Sequence, residues 1–211
     1  MSKIIPILLC GGMGTRLKPL TTNQLPKQFL PIYDSTLFEQ SYARIDRIRN
    51  ELNLGRIHIL TTRDLTPQIE DHTSHLKGKS KPVIIAEPSA KNTYYPITIS
   101  SILIERINKS AHLLFLPSDH LILNQNKLKQ SLINAIELID GSDIIIFGKR
   151  PTSPSTSYGY INVVKKSRKV SSFEEKPNLS KAKFLIKSGA FWNSGMFLIK
   201  TNKLNSLTMS Y

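Results

Sequence analysis

Ile4 to Leu9 is an apolar run that stops against Gly11, Gly12 and Gly14. A run bounded so sharply reads as a buried strand followed by a tight turn. The same unit returns along the chain. Phe38, Tyr42, Ile45, Ile48 and Leu52 keep one helical face, and Arg56 to Leu60 and Val83 to Ala86 have strand length. A helix over 92–107 places Ile97, Ile104 and Ile107 on one side. Leu113 to Leu116 is a fourth strand, Leu128, Leu132, Ala135, Ile136 and Ile139 form a helical stripe, and Asp143 to Gly148 is a fifth strand. Continuous apolar strands separated by amphipathic helices fit a mostly parallel sheet with helices on both faces. The expected class is therefore α/β. In such sheets ligands bind at the carboxyl ends of the strands. The glycine turn after the first strand and Asp119 after the fourth both lie at such ends.

The rhythm changes near residue 150. Pro151, Pro154 and several Ser and Thr make a loop, and Tyr158 to Val164 and Val170 to Glu175 read as strands around a basic turn. A short helix over 180–188 and a strand from Phe191 to Ile199 follow. The expectation is one domain over 1–211, with residues 1–150 and 151–211 as its two halves. At 211 residues, 40% hydrophobic and 21% charged, the composition is that of an ordinary globular chain. The single cysteine, Cys10, forbids an internal disulfide and fits a reducing compartment. No apolar run is long enough to span a bilayer, so a soluble cytoplasmic protein without a membrane partner is expected.

The formal net charge is +14, and residues 121–211 carry 14 Lys and Arg against 5 Asp and Glu, or +9 of that total. A basic balance suits nucleic acid, an anionic surface or a phosphorylated substrate. Lys165, Lys166, Arg168 and Lys169 form the densest cluster. No aromatic residue interleaves with them, so this is a poor surface for stacking bases, and a solvated hairpin is expected. Nucleic acid is not an expected partner.

The residues that carry chemistry begin with Leu9-Cys10-Gly11-Gly12-Met13-Gly14-Thr15-Arg16 and, after nine residues, Pro26-Lys27. Glycines let a backbone approach a ligand and aim bare N–H groups at phosphate oxygens. Arg16 and Lys27 add fixed positive charge. The run matches neither the dinucleotide-binding glycine fingerprint nor a Walker loop.

Gly12-x-Gly14-Thr15-Arg16 with Pro26-Lys27 resembles the signature of the sugar-1-phosphate nucleotidyltransferases. Glu87-Pro88-Ser89-Ala90-Lys91-Asn92-Thr93, Leu116-Pro117-Ser118-Asp119-His120, Pro151-Thr152 with Tyr158-Gly159-Tyr160-Ile161, Phe173-Glu174-Glu175-Lys176-Pro177 and Trp192-Asn193-Ser194-Gly195-Met196-Phe197 are similar to the mannose-1-phosphate guanylyltransferase branch, in that family's order. The resemblance implies a Rossmann-like sheet of the nucleotide-diphospho-sugar transferase type. It implies GTP and mannose 1-phosphate as substrates, GDP-mannose and pyrophosphate as products, and Mg²⁺ as cofactor. Residues 1–150 become the nucleotide-binding half and 151–211 the sugar-phosphate-binding half. By the same resemblance Arg16, Lys27 and Asp119 are the catalytic set, with Asp119 the Mg²⁺ ligand. Gly11, Gly12, Gly14, Thr15, Glu87 and Asn92 hold the nucleotide, while Gly159, Glu175, Lys176 and Asn193 hold the sugar phosphate. His120 is read as packing or orienting.

The sequence departs from the family at Cys10 for a small Ala, Lys18 for Trp, Lys91 for Arg, and Tyr94 with Tyr95 for small residues. Cys is close to Ala in bulk, whereas Lys91 loses the bidentate geometry of Arg. The two tyrosines bear on base selection. The family's catalytic domain continues past the position of Tyr211 and there supplies a second metal-binding Asp, so the expectation is a chain truncated at its C-terminus and impaired in turnover. A homodimer is an assembly that the full-length family allows. Two other readings stay open: a non-catalytic remnant that binds nucleotide as an interaction module, and a transferase for another sugar 1-phosphate.

Overall fold

The structure, a computed structural model, describes residues 3–12, 14, 17–22, 24–88 and 94–203, the side chains of 94–96 excepted. Its described residues fall into two compact units, Met1–Ile145 with Phe197–Tyr211, and Ile146–Met196. The chain rejoins the first unit at Phe197 because the end of its last strand pairs there.

In the first unit β1 (Ile4–Cys10), β4 (His58–Thr62), β5 (Val83–Glu87) and β6 (His112–Pro117) lie in the order β5-β4-β1-β6, every neighbouring pair parallel. Residues 197–200 of β10 (Phe191–Lys200) add an antiparallel edge on β6. β1 has a partner on each side, which is why it is apolar on both faces. Ile5, Ile7, Leu60, Ile97, Ile104, Leu113, Phe115 and Ile199 make the core beneath the sheet. The α/β class and the mostly parallel, helix-flanked sheet are as the sequence pattern requires.

Around the sheet lie α1 (Leu37–Arg49), α2 (Thr66–Thr73), α3 (Tyr94–Ile107) and α4 (Gln125–Leu138). A small hairpin, β2 (Pro31–Ile32) with β3 (Ser35–Thr36), leads directly into α1. Thr36 closes that helix end: its Oγ1 accepts from the Glu39 N–H at 3.1 Å, and the Glu39 carboxylate accepts from the Thr36 N–H at 2.7 Å. Phe38, Tyr42 and Ile45 are buried, as their spacing predicts, but the helix ends at Arg49, before Leu52. In α3, Ile97 and Ile104 are buried, whereas Ile107, expected on the same side, is 84% exposed at the final turn.

The second unit holds β8 (Tyr160–Val163), β9 (Val170–Glu174) and α5 (Leu179–Lys187), with residues 191–196 of β10 and the end of β7 (Ile144–Lys149). β8 is antiparallel to both β9 and β10. Its core is Tyr160, Ala182, Leu185, Ala190 and Trp192. The Tyr160 hydroxyl donates to the Ser155 carbonyl at 2.9 Å and accepts from the Ser155 N–H at 3.0 Å, pinning the loop before β8. Lys165, Lys166, Arg168 and Lys169 are all exposed in the β8–β9 turn. No helix among the described residues is long and apolar enough to cross a membrane.

Candidate active site

At the carboxyl end of β1 the chain turns through Gly11 and Gly12. A Cβ at Gly12 would meet nothing within 4 Å, and one at Gly11 would meet only Glu87 Oε1, at 3.9 Å. Gly14 is different. Its φ is +64°, and a Cβ there would fall 2.5 Å from Lys27 Cβ. The loop rests on the stem of Lys27, so only glycine fits. The Gly14 carbonyl accepts from the Leu17 N–H and from Thr21 Oγ1, both at 2.9 Å. Thr15 and Arg16 lie outside the described residues.

Lys27 opens a 3₁₀ turn, Lys27–Phe29, held from below. Phe29 packs on Phe38 with ring centroids 5.6 Å apart and stacks on His72 at 5.1 Å with rings 4° from parallel. The Lys27 ammonium donates to Asp119 Oδ2 at 2.9 Å, across 92 positions of sequence, and each side chain is about one third exposed (35% and 33%).

Asp119 is carried to Lys27 by the pairing of β1 with β6. Just past β6, the Ser118 N–H and Oγ both donate to the Leu9 carbonyl, at 3.2 and 2.7 Å. One residue beyond Asp119, the His120 carbonyl accepts from Arg44 Nη2 at 3.1 Å. Arg44 is buried on α1, and burial lowers its pKa. Asp119 is thus held on both sides by Ser118 and Arg44, neither of which the sequence marks as a site residue. Ser118 stands in the Leu116–His120 motif without an assigned role, and Arg44 on its helix carries no signal until β1 and β6 are paired.

Cys10 closes the floor of the loop. Burial pushes its thiol up to about 12, with the Asp119 charge adding to the rise. The thiol is therefore neutral and inert near pH 7. Glu87, at the end of β5, has its carboxyl raised by burial. Asn92 and Lys91 lie outside the described residues, as do the side chains of Tyr94 and Tyr95.

The second group of expected residues gathers within the second unit. One residue outside the β8–β9 pairing Gly159 lies beside Glu175: a Cβ at Gly159 would fall 2.7 Å from Glu175 Oε2. The Asn193 N–H donates to the Gly159 carbonyl at 2.7 Å. Asn193 Oδ1 accepts from the Gly195 N–H at 3.0 Å. Lys176 has φ +45°, a conformation that costs a non-glycine residue roughly 1–2 kcal/mol, and its ammonium lies 3.0 Å from Glu175 Oε1. Both partners of that pair are more than half exposed, so the pair itself contributes little.

Among the described residues no group of three or more His, Cys, Asp or Glu could hold a metal ion. The single carboxylate of Asp119 still fits Mg²⁺, which takes one or two carboxylates and fills its remaining positions with water and substrate phosphates.

The nucleotidyl transferase family model matches residues 5–210. A mannose-1-phosphate guanylyltransferase of Escherichia coli is 33% identical over 214 residues, which cover 96% of this chain and 45% of that protein. The alginate biosynthesis protein AlgA of Pseudomonas aeruginosa is 32% identical over 95% of this chain and 42% of its own length. A solved structure from Thermus thermophilus, named mannose-1-phosphate geranyltransferase, superposes with a TM-score of 0.83 at 25% identity, covering 98% of this chain and 60% of that one. The chain spans less than half the length of the two curated relatives. Matched over almost all its residues, it belongs to the nucleotidyl transferase family.

Proposed function

We propose that this chain carries the transfer of GMP from GTP to mannose 1-phosphate, giving GDP-mannose and pyrophosphate. The observation that supports it most is the glycine loop seated on Lys27 with Asp119 2.9 Å from the Lys27 ammonium, at the carboxyl ends of β1 and β6. The names of the E. coli and T. thermophilus relatives support mannose 1-phosphate as substrate, and that of the E. coli relative supports the guanylyl group.

In this reading a phosphate oxygen of mannose 1-phosphate attacks the α-phosphorus of GTP in line. One P–O bond forms, the bond to the β-phosphate oxygen breaks, and pyrophosphate leaves with its electron pair. The nucleophile is already an oxyanion, so alignment and charge neutralisation matter more than a strong base. Gly11, Gly12, Gly14 and Thr15 line the nucleotide path, with Glu87 and Asn92 on the nucleoside side. Lys27 neutralises the α-phosphate and Arg16 the departing pyrophosphate. Lys176 pairs with the sugar phosphate, while Glu175 and Asn193 read hydroxyls beside Gly159. Asp119 would hold Mg²⁺, which would supply further charge neutralisation. Such chemistry belongs in the cytoplasm, and the alginate relative's name supports a product used in polysaccharide assembly.

A nucleotide-binding module without turnover is the second reading, favoured by the lack of a carboxylate cluster around Asp119 among the described residues. Pyrophosphate release from GTP and mannose 1-phosphate separates the two. The transferase reading expects release that Asp119→Ala abolishes, and a larger rise in Tm with GTP and Mg²⁺ than with ATP. Nucleotide-dependent stabilisation without release supports the binding module. Equal rises with both nucleotides remove the guanine assignment.

A further inference from the structure

Phe173 stands on β9 with 49% of its surface exposed. Pairing places it opposite Ile161. Just past the strand, the Glu175 carboxylate lies with the Phe173 ring over Gly159. Asn193 joins them on that face through its N–H to the Gly159 carbonyl. The opposite face is already used: Tyr160 and Trp192 are buried there against Ala182 and Leu185 of α5. On the first face Ile161 is buried, and beside it stands a half-exposed ring bordered by a carboxylate, an amide and the Lys176 ammonium.

The ring lies where it does because residue 159 has no side chain. A Cβ at Gly159 would fall 2.6 Å from Phe173 Cζ and 3.0 Å from its Cε2, as well as 2.7 Å from Glu175 Oε2. Any other residue would lift the ring and displace the carboxylate together.

We infer that Phe173 is a substrate platform: the C–H face of a pyranose packs on its ring while Glu175 and Asn193 take hydroxyls at the rim. A pyranose has one such apolar face and a polar rim, and small-molecule sites pair aromatic walls with a few convergent polar groups in this way. The inference rests on the sugar-phosphate reading of Gly159, Glu175, Lys176 and Asn193. It adds a residue selective for the ring rather than for the phosphate.

The test measures binding of mannose 1-phosphate, glycerol 3-phosphate and inorganic phosphate to the whole chain by calorimetry, with saturation-transfer NMR to see which sugar protons lie near aromatic protons. Phe173→Ala is expected to weaken mannose 1-phosphate about three- to tenfold, the scale of one aromatic contact, and to leave the two ring-free phosphates unchanged. Phe173→Leu, which keeps bulk and guards against a folding defect, is expected to retain phosphate binding and lose saturation transfer to the sugar C–H groups. If Lys176→Ala weakens mannose 1-phosphate while both Phe173 variants bind it normally, the platform is wrong and the sugar-phosphate site stands. If the unaltered chain binds no sugar phosphate, the site reading falls and the platform with it.

Discussion

At the scale of single residues, this site depends on glycines that clear room for charged neighbours. Gly14 has the left-handed φ of +64° and sits against Lys27 Cβ. Gly14→Ala is expected to move Lys27 off Asp119 and to weaken GTP-dependent stabilisation by at least tenfold in apparent Kd. Strain and clash together would cost at least about 1–2 kcal/mol, readable by thermal shift across a GTP titration. Gly12→Ala, with open space around it, is the control and is expected to leave the fold unchanged. The Gly14 spacing was legible because a glycine motif survives as letters. The anchors of Asp119 were not legible. Ser118 reaches the Leu9 carbonyl across 109 positions and Arg44 reaches the His120 carbonyl across 76, and no local pattern records such contacts.

At the scale of elements, α1 shows how a local signal does long-range work. Its capping box starts the helix, and the same helix presents Phe38 to the ring beneath Lys27 and Arg44 to His120. Burial alone would raise the Glu39 carboxyl, but hydrogen bonds from Thr36 and His72 bring it below its ordinary 4.5. A carboxylate lowered on folding stabilises the fold above its unfolded pKa and loses that contribution as pH falls through the lower folded value. Thr36→Ala is expected to cost about 1 kcal/mol at pH 7 by urea unfolding, with the difference shrinking below pH 4.5. The parallel strands were readable from apolar runs, and the stripes of α1 and α4 from their period. The helix α2 was not. It is eight residues long, is buried at Ile69 and Thr73, and is closed by the Thr73 hydroxyl donating to the Ile69 carbonyl at 2.7 Å. So short a segment shows no apolar period, and only its packing makes it a helix.

At the scale of the whole molecule, a half-buried and a buried histidine contribute to the response to acid. His58 and His112 both have pKa values lowered from 6.5, chiefly by burial, so the folded state binds fewer protons than the unfolded chain below that pH. Stability is therefore expected to fall as pH drops from 7 to 5, and urea midpoints across that range test it. A midpoint that rises on acidification would mean that raised carboxyls such as Glu87 outweigh the histidines. The net charge of +14 draws anions toward the molecule from a distance. Close in, the Lys27–Asp119 pair at 2.9 Å works differently. The site carries its own counter-ion, so an anion that captures Lys27 must first dissolve an internal salt, and in doing so it sets a carboxylate free beside itself. On the proposed reading, binding becomes an exchange of partners rather than a simple addition, and a ligand drawn to Lys27 would unmask Asp119.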